Sequence, residues 1–177
     1  GKVLLTINFD ACAMMFAFIR DANTSQSVID VFNMLEDALT LPVFKRLFPV
    51  ILTDNGSEFS NPDALETSHR TGGRRTTIFY CKPYASWQKP NVENNHLNLR
   101  KIFPKGKSLD MVTQEKAAWA MSNLNSMCRA SLNDMPSIKL FEEMYGGGIL
   151  EKLGVRLVQA KDVKLVPELI FPIEKGI

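Results

Sequence analysis

No stretch of this sequence is both long and apolar enough to span a membrane, which takes about 20 such residues. A membrane partner is therefore not expected. Cysteine is scarce: Cys12, Cys81 and Cys128 stand far apart, with no Cys-x-x-Cys pair and no Cys/His ligand spacing. That argues against a disulfide framework and a structural zinc site, and it suits a reducing cytoplasm. All three thiols are expected to act as small core hydrophobes. An excess of one charge is missing too, since 21 Lys and Arg against 19 Asp and Glu leave a formal charge of only +2. Net charge thus argues weakly for a polyanionic partner, and the distribution of charge must carry that question. A secretory signal is not expected, because Asp10 interrupts the apolar N-terminal run and no small-residue cleavage pattern follows. With no initiator Met and Val3 already inside a strand-like run, the protein is expected to continue upstream. There is no internal repeat.

What remains is a chain of 177 residues with 45% hydrophobic content, enough for one well-buried core and too short for two comfortable domains. The expected organisation is a core over residues 1–145 with a C-terminal extension, 146–177, packing on it. Val3 to Phe9 and Ala13 to Arg20 read as a hairpin turning at Asp10, Ala11 and Cys12. Thr24 or Ser25 caps a helix whose Val28, Val31, Phe32, Leu35 and Leu39 recur at helical spacing, ending before Pro42. The short branched run Val50 to Thr53 predicts a central strand covered on both faces. A short helix over Asp63 to Ser68 and a strand over Ile78 to Cys81 follow. Pro90 suits the first position of a helix reaching Ile102 and ended by Pro104. Thr113 caps a further helix with Ala117, Met121, Leu124 and Cys128 on one face, and Pro136 opens a shorter one that stops at Gly146 to Gly148. One or two short strands are expected in the remainder.

Two acidic motifs stand out, LTDNGSEF around Asp54 and NVENNH around Glu93. Alone, Asp54-Asn55-Gly56 is a common hairpin signal and a lone Glu in a helix means little. Together they place one carboxylate at the carboxyl end of a buried-looking strand and another in the first turn of a helix, at the positive end of its dipole. Carboxylates brought close repel one another unless a cation lies between them, which is the donor chemistry of magnesium or manganese. Arg100, Lys101, Lys105 and Lys107 form the densest basic cluster, with Lys89 at the other end of the same helix and Arg74 and Arg75 on a Gly-rich loop. Beside a metal site such residues would contact phosphates. Tyr84 and Trp87 could stack on an unpaired base or plug the domain's own surface. Asn55 and Glu58 shape the turn after Asp54, and His96 stands one turn beyond Glu93, beside a metal or phosphate or simply structural. Met14, Met15, Met121 and Met127 read as core.

The run VILTDNGSEFSNP followed by IFYCKPYASWQKPNVENNHLNLRKIFPKG resembles the catalytic core of DDE transposases of bacterial insertion sequences, in particular the subgroup named after insertion sequence thirty. More distantly it is similar to retroviral integrases. The resemblance runs from about Lys2 to Pro104. It implies an α/β, ribonuclease-H-like fold and an enzyme that hydrolyses a phosphodiester at an element end and joins the freed 3′ hydroxyl to target DNA. Asp54 and Glu93 would be the second and third acids of a triad that holds two Mg2+ or Mn2+ ions. The first acid, by the same resemblance, lies on a strand upstream of Gly1 that is central in the sheet, so the fold here would lack that strand and show an open slot, a substituting segment or marginal stability. Asp10 reads as a turn residue and not as its replacement. Pro90 stands where the family usually has glycine. The resemblance further implies DNA ends and target DNA as partners, a homo-oligomer on DNA, and a bacterial cytoplasmic, nucleoid-associated location. The competing reading is a remnant that binds DNA without cutting it.

Overall fold

The computed structural model describes residues 1–82, 91–146 and 148–173, a mixed α/β structure with three two-stranded sheets among the described residues. It divides into two compact units, one made of Gly1–Ile19 with Lys89–Ile177, the other of Arg20–Gln88. No helix among the described residues is long and apolar enough to cross a membrane.

The discontinuous unit begins with strands β1 (Val3–Phe9) and β2 (Met14–Arg20), joined by a 3-10 turn over Asp10–Cys12 that closes at Ala13 with φ 55°. So short a connection permits only antiparallel pairing. β2 is buried along almost its whole length, from Met14 to Phe18. No strand among the described residues pairs with its outer edge. Instead helix α5 lays amide side chains along it. The Met15 N–H donates to Asn125 Oδ1 at 2.9 Å, Asn125 Nδ2 returns a bond to Met15 O at 2.7 Å, and Gln114 does the same for Ala17 O at 3.0 Å and Ile19 N at 2.9 Å. Residues two apart on a strand present their backbone groups to the same edge, so two side chains a few helical turns apart satisfy four of them.

Helix α4 covers Val92–Ile102, and α5 covers Gln114–Ser126 with Thr113 as its cap, accepting from Lys116 N at 3.2 Å. A short antiparallel ladder, β5 (Cys128–Arg129) with β6 (Met135–Pro136), leads into α6 (Ser137–Tyr145) and α7 (Ile149–Lys152). Phe9, Phe16 and Phe141 pack edge to face, with ring centroids 5.2–5.9 Å apart. The expected strands of the C-terminal segment are not formed among the described residues; 3-10 turns at Ala160–Asp162 and Pro167–Leu169 stand there instead. Their ladder donors are otherwise engaged: Arg156 N, Val158 N and Lys164 N donate to Ser122 Oγ, Ser126 Oγ and Asn123 Oδ1 of α5 at 2.9–3.0 Å. Cys128 lies beyond α5 rather than on its buried face and is exposed, whereas Cys12 and Cys81 are buried as expected.

The continuous unit holds α1 (Ser25–Leu39), α2 (Leu41–Leu47), β3 (Ile51–Thr53), α3 (Pro62–Glu66) and β4 (Ile78–Tyr80). Thr24 caps α1, accepting from Ser27 N at 3.2 Å, and the predicted stripe Val28, Val31, Phe32, Leu35 and Leu39 is buried. Pro42 does not simply end this helix. It sits in the first turn of α2, where a missing N–H costs nothing. β3 and β4 pair in parallel, Ile51 opposite Ile78 and Thr53 opposite Tyr80. Leu52 and Phe79, partners in that register, are 43% and 54% exposed, so β3 is not covered on both faces as its apolar sequence suggested.

Candidate functional site

Asp54 follows the last residue of β3, exposed at the carboxyl end of the parallel pair. The hairpin alternative for Asp54-Asn55-Gly56 is excluded by that parallel pairing and by Gly56, whose φ of −59° is not the left-handed conformation an Asn-Gly hairpin needs. Gly56 opens a 3-10 turn over Ser57–Phe59, and its N–H donates to Asp54 Oδ1 at 3.2 Å. The carboxylates of Asp54 and Glu58 both fold over it: a Cβ there would stand 2.5 Å from Glu58 Oε2 and 3.2 Å from Asp54 Oδ1. Asn55 Nδ2 reaches Cys81 O at 3.4 Å, tying this turn to the end of β4.

Glu93 belongs to the other unit. It is exposed in the first turn of α4, as the sequence predicts. That turn is fastened to the β1–β2 hairpin from three sides. Asn91 donates from Nδ2 to Asp10 O at 2.7 Å and from its backbone N to Asp10 Oδ1 at 3.3 Å. Asn95, fully buried, donates to Asn8 Oδ1 at 2.9 Å and to Ala13 O at 3.0 Å. His96 Nε2 lies 3.2 Å from Thr6 Oγ1. Asp10 is therefore a turn residue that also anchors the start of α4. The sequence offered no sign of the Asn95 contacts, because an Asn two residues from Glu93 reads as one more polar position on a solvated face.

At the far end of α4, Arg100 and Lys101 occupy the last turn, where cations meet the negative end of the dipole. They and Lys105 and Lys107 are exposed. Lys2, Thr6, His96, Arg100, Lys107 and Asp110 share the lining of a cleft of about 500 Å3 between β1, α4 and the loop that follows. Lys107 Nζ also stands 5.0 Å over the Phe171 ring. The Asp110 carboxyl is held below the ordinary carboxylate range by hydrogen bonds from the Lys2 N–H and the Ser108 hydroxyl.

The two arginines of the Gly-rich loop part company. Arg74 is exposed and pairs with Glu66 at 3.2 Å. Arg75 does not reach a nucleic-acid surface at all. It is 1% exposed, bonded to Glu36 Oε2 and Asn33 Oδ1 at 2.8 Å each and to the carbonyls of Leu65 and Ala64. Lys89, Pro90, Tyr84 and Trp87 lie outside the described residues.

Asp54 and Glu93 both offer exposed carboxylate oxygens, the donor type that magnesium and manganese take. Among the described residues no group of three or more His, Cys, Asp or Glu is placed to hold a metal ion. The donor chemistry fits; the ligand set is smaller than a two-ion centre requires.

No family profile and no solved structure matches the chain. Curated proteins do. The transposase for insertion sequence element IS4351 of Bacteroides fragilis is 29% identical over 100 residues, 56% of this chain and 29% of that protein. A protein of Spiroplasma virus SpV1-R8A2 B named as a candidate integrase, ORF3, is 31% identical over 91 residues, 51% of this chain and 27% of its own length. The transposase for insertion sequence element IS1086 of Cupriavidus metallidurans is 34% identical over 121 residues, 68% of this chain and 33% of that protein. This mixed α/β chain is thus similar to proteins named for the movement of DNA elements, and it spans about a third or less of the length of each.

Proposed function

We propose that this chain is part of a DDE transposase of the insertion sequence thirty type, with a ribonuclease-H-like catalytic core over residues 1–145 and an extension over 146–177. The observation that carries the reading is Asp54, exposed at the carboxyl end of a parallel strand pair, where α/β sheets place their ligands. The similarity to named transposases supports it. Asp54 and Glu93 serve as two of the acidic ligands, and the remaining acid comes from outside this chain. A bound pair of magnesium or manganese ions would polarise the scissile phosphate and lower the pKa of the attacking water or 3′ hydroxyl. The protein's own part is to hold its carboxylates for those ions and to bind the DNA backbone through Arg100, Lys101, Lys105 and Lys107, with Lys89 and Arg74 in support. Asn55 braces the turn that carries Asp54. Element ends and target DNA are the substrates, and paired ends call for a homo-oligomer on DNA.

The test is nicking of end-labelled linear DNA in magnesium or manganese by a longer form of the protein that carries the remaining acid, beside Asp54→Ala and Glu93→Ala in that form. Each substitution is expected to reduce cleavage by about a hundredfold or more and to abolish the rise in melting temperature that the divalent ion gives the parent. Cleavage that survives both removes these residues from the mechanism. A parent that binds DNA in a salt-sensitive way yet never cuts, even with the remaining acid supplied, would favour the remnant reading.

A further inference from the structure

We infer that Asn95, held in place by Arg129, is a positioning residue that sets the direction of Glu93. This rests on the reading of Glu93 as an acidic ligand. Residues two apart on a helix point to nearly opposite sides, so the side chain that fixes the roll of a helix turn against the protein also decides where its outward partner points. Asn95 is fully buried and Glu93 is exposed, two positions before it.

The Asn95 amide has a definite orientation because its two ends meet unlike groups. Nδ2 faces two acceptors, Asn8 Oδ1 and Ala13 O, at 2.9 and 3.0 Å. Oδ1 accepts from the Arg129 guanidinium at 2.7 Å. Turning the amide over would set oxygen against oxygen and N–H against a cation. Ala13 O is presented by a left-handed residue, φ 55°, and also accepts from Ser137 Oγ at 3.2 Å, so the acceptor itself is fixed by α6.

Arg129 has no evident structural need for its charge. It is 9% exposed, forms no ion pair among the described residues, and leaves Nε without a hydrogen-bond partner. Burial pulls its guanidinium below the usual arginine range, with the Cys12 thiol a smaller opposing influence. An apolar side chain at this position would avoid the desolvation cost of a lone buried cation. What the guanidinium does supply is a donor that holds the Asn95 oxygen and so turns the NH2 toward the hairpin. The start of α4 points the same way. Asn91, at the cap position, makes no side-chain cap bond, and its amide goes to Asp10 O instead. The turn that bears Glu93 thus depends on the hairpin for its placement.

Two substitutions separate positioning from folding. Asn95→Asp keeps the shape and the acceptor for Arg129 but removes both donors to the hairpin, and the new carboxylate gains an ion pair that preserves the fold. Arg129→Met removes the buried cation, which offsets the cost of leaving Asn95 Oδ1 without its donor, and is expected to melt near the parent temperature. For each, the concentration of Mn2+ that half-saturates the chain, read by the metal's own magnetic resonance, is expected to rise about tenfold, the scale of loss when a residue behind a metal ligand is removed. In the metal-free Asn95→Asp chain the amides of Asn94, Asn95 and His96 are expected to exchange with solvent about tenfold faster, with those of α5 unchanged. DNA affinity stays at the parent value, because the basic residues sit at the other end of α4. A merely structural role would instead lower melting temperature and DNA affinity together. If Mn2+ binding depends on Glu93 but matches the parent in both variants, the inference is overturned and the function stands; if the parent's Mn2+ binding is indifferent to Glu93→Ala, both fall.

Discussion

At the scale of the residue, Arg75 and Glu36 show how little of a side chain's fate its sequence neighbours reveal. Gly72-Gly73-Arg74-Arg75 reads as one basic loop tip. Yet Arg74 takes part in an isolated antiparallel bridge with Thr67, and in extended chain successive side chains point to opposite sides. Arg74 therefore goes out to solvent and Arg75 goes in, where its guanidinium caps carbonyls at the end of α3 and lies 5.4 Å over the Phe44 ring. Glu36 is 1% exposed and is held by the Ser68 hydroxyl as well as by Arg75. Burial pushes its carboxyl up, but these two hydrogen bonds and the Arg75 charge outweigh it and leave the carboxyl below its ordinary range. A depressed folded-state pKa means that this stabilisation is complete above the unfolded value of about 4.3 and is lost as pH falls through the folded one. The melting temperature is therefore expected to fall below about pH 4, and Glu36→Gln to flatten that acid limb. Either Glu36→Gln or Arg75→Met, by leaving one charge buried alone, should cost about 3 kcal/mol or more at pH 7 in chemical denaturation. An acid limb identical in parent and Glu36→Gln would show that the pair does not govern it.

At the scale of the element, helix α5 protects the β2 edge with side chains, and the two that do so differ in exposure. Asn125 is fully buried, whereas Gln114 is exposed. Asn125→Leu leaves the N–H and C=O of Met15 without partners or water, at about 1–3 kcal/mol for each group orphaned. Gln114→Leu leaves groups that water can reach and should cost less than about 1 kcal/mol. Urea denaturation of the two variants measures the difference, and equal losses would mean that α5 holds β2 by apolar packing alone. The sequence shows α1, α4, α5 and α6 and the first two strands because periodicity and caps are local: Thr24, Thr113 and the β1–β2 turn each act within a few residues. It does not show that Ser122, Asn123, Asn125 and Ser126 are buried, since polar residues on a helix ordinarily mark its wet face and only distant backbone partners make burial tolerable. The same limit applies to the candidate site. Asp54 and Glu93 were legible through their strand end and helix start, while the Asn95–Arg129 bond joins residues far apart in sequence and leaves no local trace.

At the scale of the whole molecule, the chain passes from one compact unit to the other at Ile19 and returns at Lys89, with no change of composition at the first crossing. A unit assembled from both ends of a chain has no sequence signature, because what defines it is burial. Charge is also unevenly distributed in a way that the formal +2 conceals. Arg75 is withdrawn into a core and Arg129 is nearly so, while Arg100, Lys101, Lys105 and Lys107 stay exposed on α4 and the loop after it. If these four meet phosphates, duplex affinity must fall with salt through counterion release, with a slope in log K against log salt of about −0.9 for each contact. Replacing Arg100 or Lys101 by Ala should reduce the magnitude of that slope by about 0.9 each and weaken binding alike for every DNA sequence. Replacing Lys139, which is exposed on α6 outside this cluster, should leave the slope unchanged. Fluorescence anisotropy across a salt series measures all of these, and an unchanged slope in the Arg100 and Lys101 variants would move the DNA-binding face away from α4.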